Sequence, residues 1–277
     1  MRLLIHRDYK NLCRWTADYI IRRITAFAPS RERPFVLALP TGSTPLGVYQ
    51  CFINACREGK LSFSNVITFN LDEYQGIPAD HPLSYARFMQ ENLFSSVDIP
   101  PQNTHIPDGM AKDPQEECDA YEQAINEAGG IELLLGGNGN NGHIAFNEPG
   151  SSFHSRTRIK TLSRETRVVN ARFFDGDPEK VPLRALTVCI GTIMDAREAV
   201  FIASGRQKAR AIQAAVEGGI NQYCPLSCLQ MHPRAIIVCD DDAAEELKYS
   251  TVRYFKDLES SELERVDLER SNAGDPN

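Results

Sequence analysis

Apolar positions fall along this chain in two patterns: short unbroken runs, and longer stretches where they recur every three to four residues. The short runs cover residues 2–6, 35–39, 66–71, 131–135, 185–189, 199–203 and 235–239. They read as buried strands, because both faces of the pleat are mostly apolar. The longer stretches cover 9–26, 45–57, 84–94, 113–128, 207–217 and 242–258, and read as helices with one apolar face. Pro45 falls in a first helical turn, where its fixed φ is suited. The last stretch, from Asp242, has an acidic first turn that complements a helix dipole. Such alternation predicts an α/β fold whose mostly parallel central sheet is covered on both faces. A single domain over 1–258 is expected, with a disordered polar tail over 259–277. No internal repeat is evident.

Composition narrows the partners. The 277 residues carry a formal net charge of −7, which argues against a general nucleic-acid or membrane-surface binder but leaves room for a local basic pocket. No apolar run reaches the roughly 18–20 residues needed to span a bilayer. The start, four apolar residues in six and then charge, does not read as a secretory signal. Eight cysteines are scattered without any C-x-x-C pair, and read as reduced thiols of a cytoplasmic protein. Cys224 and Cys228, four apart, leave a structural zinc site as the alternative.

Three segments at predicted strand ends, where α/β folds place ligands, carry unusual chemistry. Thr41-Gly42-Ser43-Thr44-Pro45 joins a strand to a helix, and its hydroxyls and backbone N–H groups suit a phosphate; it lacks the Lys of a Walker loop, and the plainer reading is a helix cap with Thr44 as N-cap. Asp72-Glu73 closes a hydrophobic strand, where a carboxylate projecting into a cleft can take a proton from carbon beside a carbonyl, or both acids can be solvated loop residues. Gly137-Asn138-Gly139-Asn140-Asn141-Gly142 has the spacing G-x-G-x-x-G, but Pro149-Gly150 interrupts the chain where a dinucleotide fold needs a long helix. The glycines instead allow close approach to a small ligand, with His143 and Glu148 as a titratable pair. Metal binding by Asp72, His143 and Glu148 has no supporting His spacing.

With these segments in view, the chain resembles the glucosamine-6-phosphate deaminase family. Pro40 to Pro45, Leu71-Asp72-Glu73-Tyr74, Gly142 to Gly150 and Ser155-Arg156-Thr157-Arg158 match its motifs in order, and the similarity runs from Met1 to about Leu258. The resemblance implies a Rossmann-like three-layer sandwich with a mostly parallel central sheet, and conversion of glucosamine 6-phosphate and water to fructose 6-phosphate and ammonia, without cofactor or metal. It makes Asp72 the base that moves a proton from C2 to C1, and His143 the ring-opening acid/base, oriented by position 141 and Glu148. It assigns the phosphate to Thr41, Gly42, Ser43, Thr44, Arg172 and Lys208. It also implies a homo-oligomer, commonly a hexamer, activated by N-acetylglucosamine 6-phosphate between subunits at Met1, Ser151, Ser152, Arg158, Lys160 and Tyr254.

Two positions depart from the family pattern Gly-Ile-Gly-x-Asp-Gly-His. Asn141 stands where the pattern has aspartate, removing a charge that stabilises imidazolium; an analogous change in a serine-protease triad lowers kcat by about 10⁴. Asn138 stands where it has an apolar residue. The pair Asn141-Gly142 is also unhindered enough to deamidate. A non-catalytic sugar-phosphate sensor and, less favoured by the Asp72 and Glu148 strings, a 6-phosphogluconolactonase-type hydrolase are the competing readings.

Overall fold

The computed structural model describes residues 1–264. In chain order its strands and helices are β1 (Arg2–His6), α1 (Tyr9–Phe27), β2 (Phe35–Leu39), α2 (Leu46–Arg57), β3 (Val66–Asn70), β4 (Asp72–Tyr74), α3 (Tyr85–Asn92), β5 (Thr104–His105), α4 (Pro114–Glu127) and β6 (Leu133–Gly137). There follow β7 (Arg158–Thr161), α5 (Arg164–Asn170), β8 (Arg184–Thr187), α6 (Ile190–Met194), β9 (Ala199–Ala203), α7 (Ala209–Val216), β10 (Ala235–Asp240) and α8 (Tyr249–Leu258).

Seven strands form one sheet in the order β1-β10-β9-β6-β2-β3-β5, and every pairing in it is parallel. Successive residues of β2 show how both faces are covered. Phe35, Leu37 and Leu39 pack with Leu12, Trp15 and Ile20 of α1 and Val48 and Phe52 of α2. Val36 and Ala38 face the opposite layer, with Tyr121 and Ile125 of α4 and Ile212 of α7. The expected α/β sandwich is therefore present. Helix starts follow local chemistry: Asp8, Ser84, Asp113 and Ser163 each accept a backbone N–H from the following turn.

The structure departs from the sequence reading in three places. The run at 185–189 is not part of the main sheet; as β8 it pairs antiparallel with both β4 and β7 in a second, three-stranded sheet. Leu71 ties the two sheets, donating its N–H to Leu39 O at 3.2 Å and accepting from Val188 N at 2.7 Å. The last helix starts at Tyr249, not 242, because Asp240 accepts from Ser204 Oγ, Gly205 N and Ala243 N and holds the acidic run against the strand end. The expected disorder from 259 does not begin there: Glu259 is buried and pairs with Arg2 at 2.5 Å, and Glu262 accepts from Trp15 Nε1 at 3.1 Å. The rest of that tail, 265–277, lies outside the described residues. Among the described residues, no helix is long and apolar enough to cross a membrane.

Candidate active site

A cleft of about 340 Å³ opens at the carboxyl ends of β2 and β6, over the start of β4. Thr41, Gly42, Ser43 and Thr44 form one wall, Asp72 and Tyr74 the floor, and Asn141 and His143 another wall. Arg172, on a 3₁₀ turn after α5, and Lys208, at the start of α7, complete the lining. Glu148 does not line it; that carboxylate stands behind the histidine.

The 41–44 loop is not closed by Thr44. The N-cap position of α2 is Pro45, with no side-chain cap bond. Tyr9 of α1 serves from outside, donating its hydroxyl to Thr44 O at 2.9 Å and accepting from Gly47 N at 2.9 Å. One helix-terminal N–H is thus already satisfied, and the loop's own N–H groups and hydroxyls remain for an anion.

The pleat of β4 separates the two acids. Glu73 points away from the cleft and accepts from the backbone N–H groups of Tyr74, Tyr85 and Ala86, so it fastens the start of α3. Asp72 points the other way; its backbone pairs with Thr187 of β8, and its carboxylate has no hydrogen-bond partner among the described residues. Burial, with Glu73 adding to it, pushes its carboxyl up to about 8. A carboxylate kept short of solvation is a strong base toward a carbon acid.

His143 Nδ1 lies 2.8 Å from Asn141 Oδ1, which also accepts from the His143 backbone N at 3.1 Å. Asn141 Nδ2 faces Glu148 Oε2 at 3.4 Å. Donors on one side and a carboxylate on the other fix the amide orientation, and the amide oxygen fixes the imidazole proton on Nδ1. Nε2 is then the ring nitrogen for acid–base work. Burial holds the His143 pKa below its usual value; Glu148, 3.9 Å away, raises it and the Lys208 cation lowers it further. Gly139 is required beneath the ring, since a Cβ there would sit 2.0 Å from His143 Cε1. Burial pushes Glu148 up, but hydrogen bonds from Thr166, Ser163 and Asn141 and the nearby histidine bring it below its usual value.

Beside the carboxyl end of β6, Lys208 Nζ donates to Asn138 O at 2.8 Å. Burial lowers its pKa to about 8, with Arg172 contributing. The Arg172 guanidinium rests over the Phe173 ring at 4.6 Å.

The expected effector residues stand apart from this cleft. Ser151 and Arg158 each bury a polar atom, Oγ and Nε, without a partner in the described structure. Ser152 accepts from His154 N at 3.2 Å, and Lys160 lies two residues after Arg158 on β7. Met1 precedes β1, and the exposed Tyr254 lies on α8, which packs on β1. Among the described residues, no cluster of three or more His, Cys, Asp or Glu side chains is placed to hold a metal. The deamidation route at Asn141-Gly142 is hindered, because the Gly142 N–H is held on Gly139 O at 3.0 Å.

Sequence reasoning missed several residues here. Ser163 and Thr166 hold Glu148, and Ser163 as a serine just ahead of a helix is a capping signal that could have located the first of them. Asn170 donates to the Tyr74 hydroxyl at 3.1 Å, linking the segment that carries Arg172 to the strand that carries Asp72; no local pattern marks that pair.

A parallel α/β sheet whose strand ends bring a buried carboxylate, a histidine and two cations to one cleft is suited to acid–base chemistry on a small anionic ligand. The chain belongs to the family of glucosamine-6-phosphate isomerases and 6-phosphogluconolactonases, whose model matches residues 7–238. Within that family its similarity is to proteins named glucosamine-6-phosphate deaminase. The Porphyromonas gingivalis protein is 56% identical over 263 residues, covering 95% of this chain and 100% of the relative. The Treponema denticola protein is 56% identical over 264 residues, covering 95% and 98%. A solved monomeric glucosamine-6-phosphate deaminase superposes with a TM-score of 0.82 at 39% identity, covering 89% of this chain and 100% of that one. The 6-phosphogluconolactonase of Trypanosoma brucei, at 20% identity and a TM-score of 0.69, shares the fold.

Proposed function

We propose that this protein deaminates glucosamine 6-phosphate, giving fructose 6-phosphate and ammonia. The observation that supports it most is the arrangement in one cleft of Asp72, His143 and the pair Lys208 and Arg172. The phosphate is gripped by the two cations and the 41–44 loop, since a dianion suits charged donors backed by loop N–H groups. His143 Nε2 takes the proton of the C1 hydroxyl and returns it to the ring oxygen as the bond from C1 to that oxygen breaks, leaving an aldehyde at C1. Asp72 then moves a proton from C2 to C1, water adds at C2, and ammonia leaves. Asn141 weakens the opening step by leaving the imidazolium without its second carboxylate. The eight free cysteines fit a reducing, cytoplasmic setting.

Met1, Ser151, Ser152, Arg158, Lys160 and Tyr254 form an effector site for N-acetylglucosamine 6-phosphate between subunits. The unpartnered Ser151 Oγ and Arg158 Nε support this, being donors that an effector's oxygens would satisfy. A hexamer is the assembly proposed, although the solved relative is described as monomeric. Release of ammonia and fructose 6-phosphate, measured for the parent and Asp72→Asn, tests the chemistry: the variant should be nearly inactive. A parent and an Asn141→Asp variant that bind the sugar phosphate yet never release ammonia would favour a sensor. Mass measurement in solution with and without effector tests the assembly.

A further inference from the structure

Asn138 follows the last residue of β6 and is only 8% exposed, yet it lines the cleft. Its carbonyl receives Lys208, and the residue after it supports the His143 ring. It therefore lies between the cation of the phosphate end and the histidine of the reacting end. Its side chain is poorly matched to its surroundings. Nδ2 reaches only the neighbouring Gly139 carbonyl, at 3.0 Å, and Oδ1 is buried with no partner in the described structure. An unsatisfied buried acceptor costs about 1–3 kcal/mol, and an apolar residue at this position would carry no such cost. The amide makes physical sense if its partner arrives with the ligand.

We propose that Asn138 is a substrate-contacting specificity residue. Its amide turns about the Cβ–Cγ bond, a soft torsion, and Oδ1 accepts from a hydroxyl on the sugar's carbon chain between the phosphate and the reacting C1–C2 end. The proposal rests on the deaminase reading for the direction in which the ligand lies, and deepens it by adding a group that reads the sugar rather than the phosphate.

The test compares the parent with Asn138→Val and Asn138→Thr, which share a shape and differ by a hydroxyl. Each is titrated calorimetrically with inorganic phosphate and with 2-amino-2-deoxyglucitol 6-phosphate, an open-chain compound with no carbonyl to react, and each is melted. The expected result is that Val weakens the amino-alditol phosphate about three- to tenfold, leaves inorganic phosphate unchanged and raises Tm. Thr should recover part of the lost affinity. Unchanged affinity for both ligands with a raised Tm would show a packing fault and overturn the proposal. Equal loss for both ligands would show that Asn138 only props Lys208, and overturn it as well. A parent that binds inorganic phosphate but not the amino-alditol phosphate refutes the aminosugar reading itself and the proposal with it, a result distinct from an indifferent Val variant.

Discussion

Replacing Asn141 by aspartate puts a carboxylate where an amide oxygen now sits 2.8 Å from His143 Nδ1. Two opposite unit charges about 4 Å apart attract by about 4 kcal/mol at an effective dielectric of about 20. Part of that is offset, because the new carboxylate loses the amide's donation to Glu148 and faces it across a gap now spanned at 3.4 Å. A net gain of about 1–3 kcal/mol for the imidazolium corresponds to roughly 5- to 150-fold in any step that needs it. The sign is definite. In the parent, burial and Lys208 hold the histidine pKa low, so the protonated form is lost early as pH rises; the variant keeps it to higher pH. Turnover of glucosamine 6-phosphate, followed as ammonia and fructose 6-phosphate from pH 5 to 9, should rise, and the alkaline limb should move upward. The histidine proton resonance should titrate later in the same variant. A variant whose rate and alkaline limb both match the parent would refute the assigned role of position 141.

Three further outcomes are expected. Asp72→Asn should abolish turnover yet raise Tm: the carboxyl is held at about 8 against 3.8 when free, so its stability contribution is intact below about pH 4 and lost as pH rises through 8. The Tm gain should therefore be larger at pH 8 than at pH 5; equal gains would contradict the burial account. Inorganic phosphate should bind more weakly as pH rises through about 8, where Lys208 loses its proton, and Lys208→Met should flatten that dependence in calorimetry. Gly139→Ala should cut kcat at least tenfold, because the new methyl group must displace the His143 ring it would meet at 2.0 Å; wild-type kinetics would show that the ring has room to move.

The main sheet was legible in the sequence because its strands are buried on both faces and leave uninterrupted apolar runs, as in 199–203 and 235–239. The small sheet was not. Its β4 is three residues long, two of them acidic, and β7, Arg158–Thr161, carries two cations and no fully buried side chain. Such strands are defined by a partner distant in sequence, β8, and not by their own periodicity. The same limit applies to the site. His143 and Asp72 stood out because glycines and strand ends frame them. The anchoring of Glu148 on Ser163 and Thr166 needs the chain to fold back over fifteen or more residues, and Lys208 reads as ordinary surface charge until Asn138 is placed beside it. At 242–258 local acid content pointed to a helix start, and a tertiary contact, Asp240 with Ser204 and Gly205, prevailed.

Glu148 has two obligations at once. One oxygen meets Asn141 beside the histidine, and the other secures the first turn of α5, the helix whose continuation bears Arg172. On the proposed roles, sugar opening and anion capture share a single carboxylate. On those roles, a ligand that draws Arg172 inward pulls on a carboxylate that raises the imidazole's proton affinity, and thermodynamic reciprocity then makes a proton on the imidazole alter the grip on the anion by the same factor.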